Sequence, residues 1–118
     1  MSILVIDVGT SGVRAAVVRP DASVAVDLHR QVLPDTPFAG LVEFDAVALA
    51  DAALELAVQA LASAGPVQAV GIANQRASTV VWDRQTGQPV GPALGWQDLR
   101  TVGECLVHQA ADFHFAPN

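Results

Sequence analysis

The sequence predicts a mixed α/β fold, and three observations predict it. Short apolar runs of strand length occur at residues 3–6, 13–19 and 67–73. A longer segment after Asp45 has apolar side chains at spacings of three and four, which is the period of a helix. Turns rich in glycine, proline and aspartate separate these segments. Strands, a helix, more strands and a second helix in this order are typical of an α/β layout rather than a bundle or a sandwich.

The first three elements are predicted to be the strands of an antiparallel meander. Residues 3–6 form a continuous run of β-branched side chains and leucine, which suits a strand buried on both faces. Residues 13–19 are apolar again and end at Pro20-Asp21, and residues 23–33 alternate loosely. Because short turns join the three segments, we expect each to pair with its neighbour in sequence.

The next element is predicted to be a helix that begins after Asp45, a good N-cap residue. Its apolar positions lie on one predicted face and are Val47, Ala50, Leu54, Val58 and Leu61. Gly65-Pro66 ends it, since glycine accepts the left-handed conformation and proline does not continue a helix.

The second half of the chain predicts shorter elements. They are a buried strand at 67–73, a further strand at 78–82, a turn at 83–89, a short strand at 93–96 and a helix at 99–111. Two phenylalanines near the end, Phe113 and Phe115, are expected to need a partner surface.

Composition limits the classes of partner. The 118 residues carry a net charge of −6, with no lysine and six scattered arginines, so the basic stripe that nucleic-acid binding needs is missing. An anionic membrane surface is disfavoured for the same reason. Cys105 is the one cysteine, which fits a reducing compartment. Without a signal-peptide pattern or 18 consecutive apolar residues, the expected location is the cytoplasm.

The segment Asp7-Val8-Gly9-Thr10-Ser11-Gly12-Val13-Arg14 lies between two predicted strands and has the residue types of a phosphate site. Glycines let backbone N–H groups approach a phosphate, and hydroxyls add donors. A carboxylate at a strand end can hold Mg²⁺ beside the phosphates. An arginine can neutralise the negative charge on the phosphoryl group that is transferred. An ordinary hairpin turn is the alternative. A Walker loop is excluded by the lack of lysine, and a dinucleotide fingerprint by the strand that follows.

Two further polar segments are candidates for binding a hydroxylated ligand. Asn74-Gln75-Arg76 follows a predicted strand, and the segment 95–101 combines Trp96 with Asp98. An indole covers the apolar face of a sugar, while carboxylate, amide and guanidinium groups bind its hydroxyls. The alternatives are loop polarity for the first segment, and a core tryptophan with a helix-capping aspartate for the second. The histidines show no metal-ligand arrangement.

Taken in order, these segments resemble the start of the FGGY carbohydrate kinases, the family of glycerol, xylulose, ribulose and gluconate kinases. The resemblance spans nearly the whole chain. It rests on residues 7–14, 40–45 (Gly-Leu-Val-Glu-Phe-Asp), 71–76, 81–87 (Val-Trp-Asp-Arg-Gln-Thr-Gly) and 96–101 (Trp-Gln-Asp-Leu-Arg-Thr).

The resemblance implies an actin-like, ribonuclease-H-like fold with MgATP and a polyol bound between two lobes. It implies transfer of the γ-phosphoryl group to a sugar hydroxyl, by positioning and charge neutralisation. The residues implied to face the phosphates are Asp7, Gly9, Thr10, Ser11 and Arg14, with Asp7 also at the metal. The residues implied to line the sugar site are Gln75, Arg76, Trp96 and Asp98.

Two departures from the family pattern shape the prediction. Glycerol kinases have an acidic residue after Asn-Gln-Arg, but this chain has Ala77, so the resemblance does not single out glycerol and leaves a larger polyol or ketose open as the acceptor. The family's general-base aspartate, adenine site and second lobe lie beyond residue 118. We therefore expect residues 1–118 to be a partial N-terminal lobe without a second lobe, inactive as an isolated chain.

A non-catalytic remnant or binding module for a polyol or a partner chain is the alternative. Another actin-like ATPase, such as an acetate or hexose kinase, is disfavoured by Trp96-Gln97-Asp98.

Overall fold

The structure is a computed structural model and describes residues 1–113. The prediction for Phe115 lies outside this range. The elements in chain order are β1 (Ile3–Val8), β2 (Gly12–Val18), β3 (Val24–Gln31), β4 (Glu43–Phe44), α1 (Ala46–Ala64), β5 (Ala69–Asn74), β6 (Ala93–Leu94) and α2 (Val102–Gln109). The chain divides into two compact units: unit 1 comprises Met1–Leu33 and Val47–Gln75, and unit 2 comprises Pro34–Ala46 and Arg76–Asn118.

Unit 1 contains a four-stranded sheet in the order β3-β2-β1-β5. The first three strands are antiparallel neighbours, which confirms the predicted meander. β5 instead pairs with β1 in parallel, so the chain crosses over through α1 before it returns to the sheet. The predicted strands at 13–19 and 23–33 correspond to β2 and β3 within two residues at each end.

One face of this sheet and one side of α1 form the core of unit 1. Leu4 and Ile6 of β1 are buried, and so are their β2 partners Val17 and Ala15. The prediction that β1 is buried on both faces is wrong, because Ile3 is 43% exposed. Side chains alternate along a strand, and here only the face with Leu4 and Ile6 is covered by the rest of the unit.

Helix α1 begins directly after Asp45, as predicted, and ends at Ala64, directly before Gly65. Gly65 has φ 83° and donates its N–H to the Leu61 carbonyl at 2.9 Å, so it takes the predicted left-handed C-terminal position. The predicted apolar face is wrong. Leu54 and Val58 are 64% and 66% exposed. The buried side is Leu49, Ala52, Leu56, Ala57 and Ala60. Three of these five buried residues are alanines, whose burial the spacing of the larger apolar side chains does not reveal.

Strand β5 is an edge strand, and the prediction that residues 67–73 are buried is wrong. Val70 and Ile72 are 55% and 72% exposed, although they pair with the buried Leu4 and Ile6 of β1. Cross-strand partners lie on the same sheet face. The core face of the sheet therefore continues onto β5 without a covering element among the described residues.

Unit 2 has little regular structure. β4 and β6 pair over two residues each, and a single bridge joins Asp35 to Glu43. The strand predicted at 78–82 is wrong, since Thr79 and Trp82 form only isolated bridges. The predicted turn at 83–89 is confirmed, with the Asp83 carboxylate accepting hydrogen bonds from the backbone N–H groups of Gln85 and Thr86 at 2.8 Å.

The second predicted helix is shorter than expected and is exposed. Residues 99–111 were expected to be helical, and α2 covers Val102–Gln109 with none of its residues buried. Phe113, which follows it, is 60% exposed, and the partner surface expected for it stays a prediction.

By length and composition alone, α1 is long and apolar enough to cross a membrane. The core helix of a water-soluble protein passes the same test. Two charged residues, Asp51 and Glu55, lie within α1, and Glu55 forms an ion pair with Arg30 of β3. The buried side of α1 faces protein, so the observation is weak evidence for a membrane.

Candidate functional site

The turn between β1 and β2 is a tight hairpin at the end of the sheet. The Gly9 N–H donates to the Gly12 carbonyl at 2.9 Å, so this amide is used inside the turn. The Ser11 carbonyl accepts the Val32 N–H at 3.1 Å, which ties the turn to the end of β3. Thr10 and Ser11 form the tip of the hairpin, and Ser11 is exposed. The Gly9 amide is therefore used within the turn, while the exposed Ser11 presents a hydroxyl that can donate to an anion.

Asp7 and Arg14 are cross-strand partners at the base of this turn. Both are exposed on the sheet face opposite Leu4 and Ile6. The Arg14 Nε lies 3.4 Å from a carboxylate oxygen of Asp27 on β3, and both side chains are more than half exposed. An exposed pair of this kind adds little stability, but it limits the positions that the Arg14 guanidinium takes.

These residues fit a phosphate chain with a magnesium ion. The turn offers hydroxyl donors, Arg14 offers a planar guanidinium, and Asp7 offers one hard oxygen ligand within the same end of the sheet. Within residues 1–113, no group of three or more histidine, cysteine or acidic side chains is placed to hold a metal. One carboxylate is enough for Mg²⁺, which usually keeps several waters and takes its other ligands from phosphates.

Gln75 continues β5 beyond its last residue. Its N–H donates to the Val8 carbonyl at 2.8 Å, and its own carbonyl accepts from the Asn74 side chain at 2.9 Å. Unit 2 resumes at Arg76, which is exposed. Ala77, the position of the departure from the glycerol kinase pattern, has φ 56°. A left-handed conformation costs alanine about 1–2 kcal/mol, so the backbone here is held by its surroundings.

Asp98 is the most constrained of the predicted sugar-site residues. It is 1% exposed, and both carboxylate oxygens accept hydrogen bonds from within unit 2. Oδ1 accepts from the backbone N–H and Nε of Arg100 at 3.0 and 2.7 Å, and Oδ2 accepts from Nη2 of Arg100 and the Val42 N–H at 2.8 Å each. The Arg100 Nη2 also donates to Glu43 at 2.7 Å. The carboxylate thus joins the segment 95–101 to the strand that precedes α1.

Hydrogen bonds to the Asp98 carboxylate keep it ionised. The side chain of Arg100 lowers the pKa of Asp98 well below its usual range, and the Val42 and Arg100 backbone N–H groups act in the same direction. Burial opposes them and is outweighed. The pKa of Arg100 is raised by Asp98 first and then by Glu43. Asp98 and Arg100 therefore form a charged pair at neutral pH.

Trp96 lies in a segment that this pair helps to fix. Gly95 is buried and donates its N–H to the Val42 carbonyl at 2.8 Å, and the Leu99 N–H donates to the Gly40 carbonyl at 2.8 Å. Trp96 itself is 44% exposed, so part of its indole is available to a ligand. The structure thus holds Trp96, Asp98 and Arg100 together in unit 2, and Asp7 and Arg14 together in unit 1. That Asp98 touches a sugar stays a prediction.

Sequence reasoning missed Glu43 as a partner of Arg100 and Asp27 as a partner of Arg14. The first pair is separated by 57 residues and no periodicity links them. The Asp-x-Arg spacing at 98–100 was a usable signal, since it matches the bidentate pair that forms.

Comparison with known proteins supports the resemblance. Residues 2–112 match the profile of the FGGY family of carbohydrate kinases, N-terminal domain. A glycerol kinase from Trichlorobacter lovleyi is 46% identical over 110 residues, which is 87% of this chain and 22% of that protein. A glycerol kinase from Haloferax volcanii is 44% identical over 104 residues, 82% of this chain and 20% of that protein. The chain spans about a fifth of the length of these relatives.

Solved structures share the fold. A xylulose kinase from Brucella ovis superimposes with a TM-score of 0.83 at 24% identity, over 95% of this chain and 24% of that one. A gluconate kinase from Lactobacillus acidophilus gives 0.87 at 16% identity, over 95% and 23%. A Plasmodium falciparum glycerol kinase solved with ADP gives 0.80 at 23% identity, over 96% and 23%. The mixed α/β fold is thus the actin-like fold of these sugar kinases. The chain belongs to the FGGY family of carbohydrate kinases, whose N-terminal domain its residues 2–112 match.

Proposed function

We propose that the chain provides the phosphate-binding end, and part of the sugar-binding surface, of an ATP-dependent carbohydrate kinase. The observation that carries the proposal is the pairing of Asp7 with Arg14 at the base of a hydroxyl-bearing hairpin turn. MgATP supplies the γ-phosphoryl group that passes to a sugar hydroxyl. Thr10 and Ser11 bind phosphate oxygens, Arg14 neutralises their charge, and Asp7 holds the metal directly or through water.

We propose that the sugar or polyol contacts Gln75, Arg76 and Trp96. The exposed part of Trp96 covers an apolar face of the sugar, and the polar side chains bind its hydroxyls. Asp98 contributes from a buried position, by holding Trp96 in place through the hydrogen bonds to Val42 and Arg100. Ala77 favours an acceptor larger than glycerol.

We propose that catalysis needs a further polypeptide segment, the C-terminal lobe, and that the isolated chain is inactive. Two features support this: the chain spans about a fifth of its relatives, and β5 exposes an apolar sheet edge with Val70 and Ile72. A phosphate site without the rest of the cleft lacks the preorganised surroundings that lower a barrier. The proposed location is the cytoplasm, which the single cysteine, Cys105, supports.

The test is a chimera in which residues 2–112 replace the matching segment of the Trichlorobacter lovleyi glycerol kinase. We expect ADP release that depends on both ATP and an acceptor, measured with glycerol, xylulose and gluconate. An Asp7→Asn chimera is the matched control and should lose most of the activity at an unchanged melting temperature. A folded chimera that releases no ADP with any acceptor would contradict the kinase proposal.

The second candidate is a non-catalytic module that binds a polyol or a partner chain. Calorimetry on the 118-residue chain with the same three acceptors separates the two. Acceptor binding without any turnover in the chimera supports the module, and turnover in the chimera rejects it.

A further inference from the structure

A histidine on β3 lies beside the phosphate-binding turn, and neither the family resemblance nor the composition assigns it a role. His29 pairs with Arg14 across the strands, and Arg14 in turn pairs with Asp7. Partners in register share one sheet face, with Cβ atoms about 4.5–5.5 Å apart. Asp7, Arg14 and His29 therefore form one row across three strands, on the face opposite Leu4.

The missing side chain of Gly12 creates the space for the imidazole. Gly12 lies on the same face, two residues before Arg14, at the start of β2. A Cβ added at Gly12 would stand 3.0 Å from the His29 Nε2 and 2.4 Å from the Arg30 carbonyl. The imidazole therefore lies over the backbone at the base of the turn, with Nε2 directed towards the residues that form it.

Accessibility and hydrogen-bonding capacity at this row suit a phosphate that arrives with Mg²⁺, because two carboxylates stand beside the one guanidinium. His29 is exposed, and the ionisable side chains around it are Asp7 and Arg14 in its row and Asp27 two residues earlier on β3. Asp27 is engaged with Arg14 through the 3.4 Å contact. A neutral imidazole has one N–H donor and a charged imidazole has two, so His29 offers at least one donor in either state.

We propose that His29 is a further phosphate-binding residue, whose ring N–H donates to an oxygen of the phosphate group that Arg14 neutralises. The ligand class is a polyphosphate or the phosphate chain of a nucleotide. This inference rests on the proposed function of the turn. Gly12 is then required for a second reason besides the tight turn, since any side chain there displaces the imidazole.

The test uses the 118-residue chain and inorganic triphosphate with Mg²⁺, a probe that lacks adenine. Ring correlation spectra of the histidines are recorded during the titration, and the His29→Ala spectrum assigns the His29 signal. We expect the His29 signal to shift with saturation while the His108 signal stays fixed. His29→Ala should weaken binding by about five- to tenfold, the effect of one lost hydrogen bond, whereas His29→Gln should lose less than about threefold.

The outcomes separate this inference from the function on which it rests. If Arg14→Gln abolishes triphosphate binding while His29→Ala leaves it unchanged, the role of His29 is overturned and the phosphate site stands. If the folded wild-type chain shows no binding by chemical shift or calorimetry, the role of His29 is overturned, and the kinase proposal is decided separately by turnover in the chimera. Far-UV circular dichroism of each variant shows that it is folded, and the exposed position of His29 makes the Gln variant a safe second variant.

Discussion

Arg100 donates two parallel hydrogen bonds to Asp98, from Nε to Oδ1 at 2.7 Å and from Nη2 to Oδ2 at 2.8 Å. The carboxylate is almost fully buried, while the arginine side chain is 31% exposed. Bidentate arginine–carboxylate pairs combine charge with fixed geometry. Because the same carboxylate also accepts from the Val42 N–H, this pair adds a side-chain connection to the backbone hydrogen bonds between the segment 95–101 and residues 40–42.

Replacement of Asp98 by asparagine is expected to destabilise unit 2 by about 3 kcal/mol, because it breaks a buried pair and leaves donors without an acceptor. Both tryptophans, Trp82 and Trp96, lie in unit 2, so urea unfolding followed by tryptophan fluorescence measures the effect there. Asp51→Asn on the exposed side of α1 is the charge-matched control and should change stability by less than about 0.5 kcal/mol. Equal effects from both variants would show that the pair contributes little.

The same carboxylate gives unit 2 an acid-sensitive stability. The pKa of Asp98 is lowered in the folded state, so the unfolded state binds its proton first as the pH falls. The contribution is complete above the unfolded pKa of about 3.9 and is lost as the pH falls below it. We expect the contribution of Asp98 to the free energy of unfolding, measured by tryptophan fluorescence, to be constant from pH 8 to 6 and to fall below pH 4. The stability of the Asp98→Asn variant should decrease less steeply below pH 4. An equally steep decrease would contradict the role of Asp98 in the acid sensitivity of unit 2.

Gly12→Ala is expected to destabilise unit 1 by about 2 kcal/mol, because its Cβ would stand 2.4 Å from the Arg30 carbonyl and 3.1 Å from the Gln31 Cα. Backbone atoms of a paired strand do not move aside cheaply. Gly71→Ala is the matched control, since no atom lies within 4 Å of a Cβ there. Thermal unfolding followed by far-UV circular dichroism, to which α1 contributes most, compares the two. A control that costs as much as Gly12→Ala would show that glycine is needed for reasons other than this close approach.

Ile72→Lys is expected to reduce self-association of the chain, because Ile72 is 72% exposed on an unpaired edge strand. Exposed apolar edges pair with other chains, and an edge lysine opposes this. Sedimentation velocity over a concentration series measures the change. Val24→Lys, on the opposite edge strand β3 with Val24 56% exposed, is the control and should have the smaller effect. Equal effects would mean that general charge, rather than β5, governs association.

The sequence predicted the elements of unit 1 better than their burial. The meander and α1 were readable because turn residues and apolar periods are local signals. The buried side of α1 could not be predicted from the sequence. Leu54 and Val58 fit a helical face as well as Leu56 and Ala60 do, and packing against the rest of unit 1 decides which pair is buried. In the same way, residues 67–73 read as buried although the described residues do not cover Ile72.

For the candidate site too, local features could be predicted from the sequence and long-range contacts could not. Asp7 and Arg14 were expected together because strands joined by a short turn must pair in register. The buried state of Asp98 was not readable, because it depends on Val42 and Glu43, which lie more than 50 residues earlier in the chain. Local sequence thus predicts which side chains flank a turn, while long-range packing decides which carboxylates are free to meet a ligand.

The open edge of β5 has a consequence for biosynthesis in relatives that continue beyond this segment. A ribosome delivers the N-terminus first, so β1, β2, β3, α1 and β5 emerge while most of such a protein is still unmade. Their contacts lie within residues 1–75, which lets unit 1 assemble early. Until the following residues arrive, Val70 and Ile72 present a ready template to neighbouring nascent chains on the same message. Slower translation after β5 is then expected to lengthen the time during which this edge is open to other chains.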